Sequence, residues 1–97
     1  ELPSEHLVEG KPVTIDAFGE PVTVVRHEGC LYAISDTCPH RGGPLGKGEL
    51  RDRKLFCPLH GWAFDLKPGH MDGSDRVKVS AYDCAESGGI VQLFKRR

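Results

Sequence analysis

The sequence predicts an all-β domain, a barrel or sandwich of short strands. Short apolar or alternating runs recur along it, as in Val77–Tyr82, where Val77, Val79 and Ala81 alternate with Lys78, Ser80 and Tyr82. Turn residues interrupt these runs at short spacing, with 12 Gly and 7 Pro in 97 residues. Many short strands separated by tight turns cannot bury their apolar faces singly, so they must pack as layers.

The elements follow in order. Ser4–Glu9 reads as one helical turn stopped at Gly10. Val13–Asp16 and Val22–Arg26 flank a turn at Phe18-Gly19-Glu20-Pro21, a hairpin signal. His27-Glu28-Gly29 turns the chain into a strand at Leu31–Ser35. Asp36 to Lys47 holds three glycines and two prolines and reads as an ordered loop. Leu50 and Lys54–Phe56 bracket a polar turn at Arg51-Asp52-Arg53. Cys57–Gly61 is a further loop, followed by a strand at Ala63–Leu66 and a turn at Lys67-Pro68-Gly69. Val77–Tyr82 reads as a half-buried strand, and Gly88-Gly89 leads into a last strand at Ile90–Phe94.

Length and composition bound the function. Residues 1–97 suit one small domain with a modest core, burying about 60–65% of the unfolded surface. A bound metal centre would help to hold such a core, because metal-binding free energy becomes folding free energy. The net charge of −1 gives no field favouring nucleic acid or an anionic membrane, and Lys95-Arg96-Arg97 reads as a solvated tail. No stretch approaches the roughly 18 apolar residues of a membrane helix, and no signal-peptide pattern is present. The chain does not begin with Met, so a leader could have been removed. The cytoplasm is the default expectation.

Two short clusters carry the chemistry: Cys38-Pro39-His40-Arg41-Gly42-Gly43 and Cys57-Pro58-Leu59-His60-Gly61-Trp62. Their metal-ligand spacing argues against two disulfides among the four cysteines. Each supplies one thiolate and one imidazole from a loop containing Pro and Gly, and 16 residues separate His40 from Cys57. Two thiolates for one iron and two neutral imidazoles for the other make the donor set of a Rieske [2Fe–2S] centre. Glycines 42, 43 and 61 would let the backbone approach the sulfides and aim N–H groups at them. Zinc also accepts two Cys and two His, but zinc modules usually open on paired cysteines and close on paired histidines, whereas here the types alternate.

Cys-Pro-His-Arg-Gly-Gly-Pro-Leu followed by Cys-Pro-Leu-His-Gly-Trp-Ala-Phe-Asp, from Cys38 to Asp65, resembles the Rieske family. The flanking pattern Gly29-x-Leu31-Tyr32-Ala33-Ile34 is a weaker match. The resemblance implies stacked antiparallel sheets with one cluster at a tip formed by the two loops. It also implies that Cys38 and Cys57 bind the buried iron, and His40 and His60 the outer one.

Four departures qualify it. The quinol-oxidising branch has an extra, disulfide-linked cysteine in each loop, where this chain has Gly43 and Leu59. That branch also places Ser and Tyr donors where this chain has Trp62 and Phe64. No proline follows Pro68 to mark a covering third loop, a role that Asp72–Arg76 is expected to take. The family usually opens with one more strand before a segment like Glu1–Gly10. The chain is therefore similar to the soluble ferredoxin, oxygenase and nitrite reductase small-subunit branch, and a potential near the low end of the Rieske range, about −150 mV, is expected.

Other residues have plainer readings. Cys30 and Cys84 read as small buried or half-buried thiols, and His6, His27 and His70 as solvated side chains beside turns. Trp62 is expected to pack under the cluster loop, with a partner-facing platform as the alternative. Arg41 is a loop ion-pair partner or part of a docking patch. Lys47, Arg51, Arg53 and Lys54 form a solvated hairpin face or, more sharply, a surface for an acidic partner.

The functional expectation is an electron carrier that takes single electrons from a flavoprotein reductase to a terminal oxygenase or nitrite reductase. With no nucleophile–base pair or open metal position visible, the chain by itself should catalyse nothing. The alternatives are the Rieske domain or small subunit of a larger enzyme and a zinc-stabilised binding module. An oxygenase would need a further domain with a mononuclear iron site, for which 97 residues leave no room.

Overall fold

The computed structural model describes residues 2–39, 42–59, 61–67, 69–71 and 77–96. Nine strands are present among them: β1 Leu2–Pro3, β2 Val13–Ala17, β3 Glu20–His27, β4 Cys30–Ser35, β5 Glu49–Arg51, β6 Lys54–Phe56, β7 Ala63–Asp65, β8 Ala81–Ser87 and β9 Ile90–Lys95. Short 3-10 turns occupy Ser4–His6 and Leu45–Lys47. All ladders between strands are antiparallel, in a six-stranded sheet ordered β1-β9-β8-β4-β3-β2 and a three-stranded sheet ordered β5-β6-β7.

Central strand β3 explains how the layers stack. Val22, Thr23, Val24 and Val25 are all fully buried, so both faces of the strand are covered. Successive side chains of a strand point to opposite faces. Val22 and Val24 join Leu2, Leu7, Ala33, Tyr82 and Val91 in a core wrapped by the curled large sheet. Val25 joins Ile34, Leu55, Phe64, Leu66, Cys38 and Cys57 in a second core between the two sheets. The curl is fastened where Phe18, beyond the end of β2, stacks on Tyr82 of β8 with ring centroids 5.1 Å apart. The Tyr82 hydroxyl donates to Glu20 at 2.5 Å. Burial and that carboxylate push the phenol up to about 12.

Most expected strands are present with ends moved by one or two residues, which is the ordinary uncertainty of frayed ends. Three readings need correction. Val77–Tyr82 is not one strand: β8 begins at Ala81 and continues to Ser87. Val77 and Val79 bond instead to the preceding turn, through Met71 N–H to Val77 O at 2.7 Å and Val79 N–H to Gly69 O at 2.8 Å. Their alternation reflects packing on the inter-sheet core. The rest of β8 is polar on its exposed face, and its backbone ladder with β9 leaves little apolar signal. Second, the chain opens with a two-residue strand, β1, on the edge of β9. Third, His27 and His70 are half-buried and Cys30 is exposed; Cys84 is half-buried and His6 exposed, as expected. Pro68 and Asp72–Arg76 lie outside the described residues.

Candidate metal centre

The two motif loops have one backbone design. In the first, Cys38 N–H donates to Gly43 O at 2.9 Å, and Gly42 N–H returns to Cys38 O at 2.7 Å. In the second, Cys57 N–H donates to Trp62 O at 2.7 Å, and Gly61 N–H returns to Cys57 O at 2.9 Å. Each loop thus closes on its cysteine over the same number of residues. The fifth residue is glycine in both, with φ of +71° at Gly42 and +76° at Gly61. This left-handed conformation is strained for any residue with a Cβ.

The loops bring Cys38 and Cys57 into the same inter-sheet core, where both are almost wholly buried. The sulfur of Cys57 faces the first loop: a Cβ at Gly43 would stand 2.8 Å from Cys57 Sγ. The same Cβ would lie 3.1 Å from Leu59 Cγ, so Gly43 and Leu59 meet by packing where the quinol-oxidising branch has its bridge. All four cysteines are described, and none forms a disulfide. Trp62 packs partly buried against the core that contains both cysteines, as expected, and Phe64 is fully buried in it. Two buried thiols in one apolar core, on loops that turn their backbone around them, fit the thiolate half of a two-iron cluster. His40, His60 and Arg41 lie outside the described residues.

The surroundings revise the basic run. Arg53 makes a bidentate ion pair with Asp65, at 2.9 and 3.0 Å. Burial works to raise the Asp65 carboxyl, but Arg53 and the Lys67 N–H outweigh it and hold the group below the usual carboxylate range. Arg51 is bidentate to Glu49, at 2.8 and 3.1 Å, and lies over the Phe56 ring at 5.1 Å. Beside the second loop, Lys47, Arg51, Phe56, Pro58 and Leu59 line an open groove of about 430 Å³. Leu59 is 59% exposed.

Sequence reasoning missed a buried polar group next to the first motif. Thr14, Thr23 and Gly46 N–H all point to Asp36, two residues before Cys38. The available signal was Thr23, a lone hydroxyl inside the apolar run Val22–Val25.

An antiparallel β protein with two convergent Cys/His-motif loops defines a class of iron–sulfur electron-transfer domain. The chain belongs to the Rieske [2Fe-2S] domain family, whose model matches residues 1–83. Its cofactor is accordingly a [2Fe–2S] cluster, which sets the zinc alternative aside. The chain is similar to the vanillate O-demethylase oxygenase subunit of Pseudomonas sp. (strain HR199 / DSM 7063), with 42% identity over 90% of this chain and 25% of that protein. It is also similar to the ferredoxin of carbazole 1,9a-dioxygenase from Nocardioides aromaticivorans IC177, with 31% identity and a TM-score of 0.87 over 97% of this chain and 93% of that one. A chain from a complex of reduced oxygenase and oxidized ferredoxin in carbazole 1,9a-dioxygenase matches with 26% identity and a TM-score of 0.84, covering 96% of this chain and 97% of that one. The chain spans between 15% and 29% of the length of the curated relatives it matches. It is thus a Rieske electron-transfer or oxygenase-associated domain. Among the described residues no helix is long and apolar enough to cross a membrane.

Proposed function

We propose that this chain relays single electrons from a flavoprotein reductase to a terminal oxygenase. The observation that carries the reading is the convergence of Cys38 and Cys57 in one buried core on loops of matching backbone design. With His40 and His60 they would hold the cluster, which supplies a one-electron couple when bound. The chain's own residues exclude water from the two sulfurs, brace the loops against the sheets and present the tip to a partner. The structural similarity to a ferredoxin supports an electron-carrying role. A partner would dock over the tip, where the groove beside Leu59 and the internally paired Arg51 and Arg53 favour apolar contact over charge steering.

A second reading has a specific observation behind it: the curated relatives are several times longer than this chain. In that reading the chain is the Rieske domain of an oxygenase, or the small subunit of an enzyme such as NAD(P)H nitrite reductase, and passes its electron within that assembly.

Electron paramagnetic resonance of the dithionite-reduced protein, wild type against His60→Ala, tests the ligand set. The low-g Rieske signal should be lost in the variant, and an unchanged spectrum would overturn the assignment. Reduction of the purified chain by a flavoprotein reductase, followed by oxidation with a separate oxygenase, separates the carrier from the embedded domain.

A further inference from the structure

Asp36 and Gly46 stand at the two ends of the first cluster loop, and one oxygen ties them together. Asp36 Oδ1 accepts from Gly46 N–H at 2.7 Å, from the Thr23 hydroxyl at 2.5 Å and from the Thr14 hydroxyl at 3.3 Å. Thr14 of β2 and Thr23 of β3 are directly opposed in the ladder. The backbone of Asp36 is held as well: its N–H donates to Pro21 O at 3.0 Å, and its carbonyl accepts Leu45 N–H at 2.7 Å. Asp36 is 7% exposed and Thr23 is fully buried. No side chain fits between them and the loop, since a Cβ at Gly46 would stand 2.8 Å from Asp36 Oδ1 and 2.9 Å from Thr23 Oγ1.

A buried carboxylate is expensive unless its partners are in place, so a fold that retains one gains position from it. The position gained here is that of the first loop. Leu45, between Pro44 and Gly46, is packed in the same core as Cys38 and Cys57. Anchoring Gly46 and Asp36 to β2 and β3 therefore fixes the loop that carries Cys38 against the sheet facing Cys57. We propose that Asp36 is a positioning residue of the metal centre. Its Oδ1 holds Cys38 at the separation from Cys57 that a two-iron cluster requires. This rests on the ligand assignment above and adds a residue that would touch neither iron nor sulfide.

All three donors converge on a single oxygen, which allows geometry to be separated from charge. Asp36→Asn keeps an acceptor at Oδ1 and removes the charge; Asp36→Ala removes both. Thr23→Val deletes one donor at nearly constant volume, and Gly46→Ala drives a Cβ into the clamp while leaving the carboxylate. Val91→Ala, in the other core, serves as a control that lowers stability away from the loop. The holoprotein of each variant is challenged with an iron chelator. Cluster release is followed by loss of visible absorption, alongside the reduced-state paramagnetic spectrum and urea unfolding.

Asp36→Ala and Gly46→Ala should release the cluster about tenfold faster or more, as loss of a charge-assisted buried hydrogen bond implies, with altered g-values. Thr23→Val should fall in between. Asp36→Asn should stay within about twofold of wild type with its spectrum intact, since the acceptor is kept. Val91→Ala should unfold more easily yet release the cluster at the wild-type rate. The proposal is overturned if Asp36→Ala behaves like Val91→Ala at matched stability, or if Asp36→Asn is as damaging as Asp36→Ala. Should Asp36→Ala fail to load, wild-type release by both Thr23→Val and Gly46→Ala would overturn it equally. A wild-type protein without a Rieske signal would instead refute the ligand assignment on which this rests.

Discussion

Gly42 and Gly61 are equivalent residues in two copies of one loop. Each lies four positions after a cysteine, donates its N–H to that cysteine's carbonyl and turns the chain with a positive φ. The two motifs differ around this frame, with His40 two residues after Cys38 and His60 three residues after Cys57.

The frame predicts different costs for neighbouring glycines. Among the described residues, a Cβ at Gly61 meets nothing within 4 Å, and one at Gly42 meets only Thr37 Cγ2 at 4.0 Å. Gly42→Ala and Gly61→Ala should each cost about 1–2 kcal/mol of backbone strain and still load iron. Gly43→Ala, whose Cβ would enter the contact radius of Cys57 Sγ, should lose cluster occupancy instead. Iron content and urea midpoints of the three variants check this. Full iron occupancy in Gly43→Ala would refute the close approach.

The potential should sit low, near −150 mV within the Rieske span of roughly −150 to +300 mV. Hydrogen bonds to cluster sulfurs stabilise the reduced, more negative state. Phe64, buried in the core with both cysteines, has no donor to offer. Phe64→Tyr should raise the midpoint if the added hydroxyl reaches a sulfur. Protein-film voltammetry decides the main claim: a wild-type midpoint above about +100 mV, in the upper half of that span, would show that other donors dominate.

Docking should depend weakly on salt. Exposed charges lose their mutual influence beyond about 8 Å at physiological ionic strength, and Arg51 and Arg53 are already paired within this chain. Leu59→Ser should slow reduction by the partner more than Lys47→Glu does, with little change between 50 and 300 mM salt (concentrations on the order of one Debye regime to the next). A steep salt dependence abolished by Lys47→Glu would restore charge steering.

Acid should weaken the β6–β7 hairpin through Asp65. Its carboxyl is held below the ordinary range in the fold, so its contribution is fully present above the unfolded value, about 3.9, and is lost as pH falls through the lower folded value. Arg53→Met should cost about 1 kcal/mol or less at neutral pH, because the pair is partly exposed. The difference between wild type and variant should then shrink toward zero in acid. A gap in unfolding free energy that stays constant down to strongly acid pH would rule out Asp65 as its source.

The amino-acid sequence alone determined the class of fold, the order of most strands and the two motifs. These are local signals. Gly and Pro punctuate the chain through their own backbone restrictions, and a Cys/His pair on a short loop is visible without any partner. Val22–Arg26 also announced a hairpin strand, though not that it is buried between two different cores.

Tertiary structure decided what depends on residues distant in the chain. The pairing of Arg53 with Asp65, twelve residues away in the chain, is one such case, and charge counting along the sequence cannot register it. The separation of Val77 and Val79 from β8 followed from hydrogen bonds to Met71 and Gly69, which compete with a continuous ladder. The Asp36 anchor gathers β2, β3 and both ends of one loop around a single oxygen. Its members are unremarkable one by one, and only folding, by withdrawing that carboxylate from water, makes their convergence necessary.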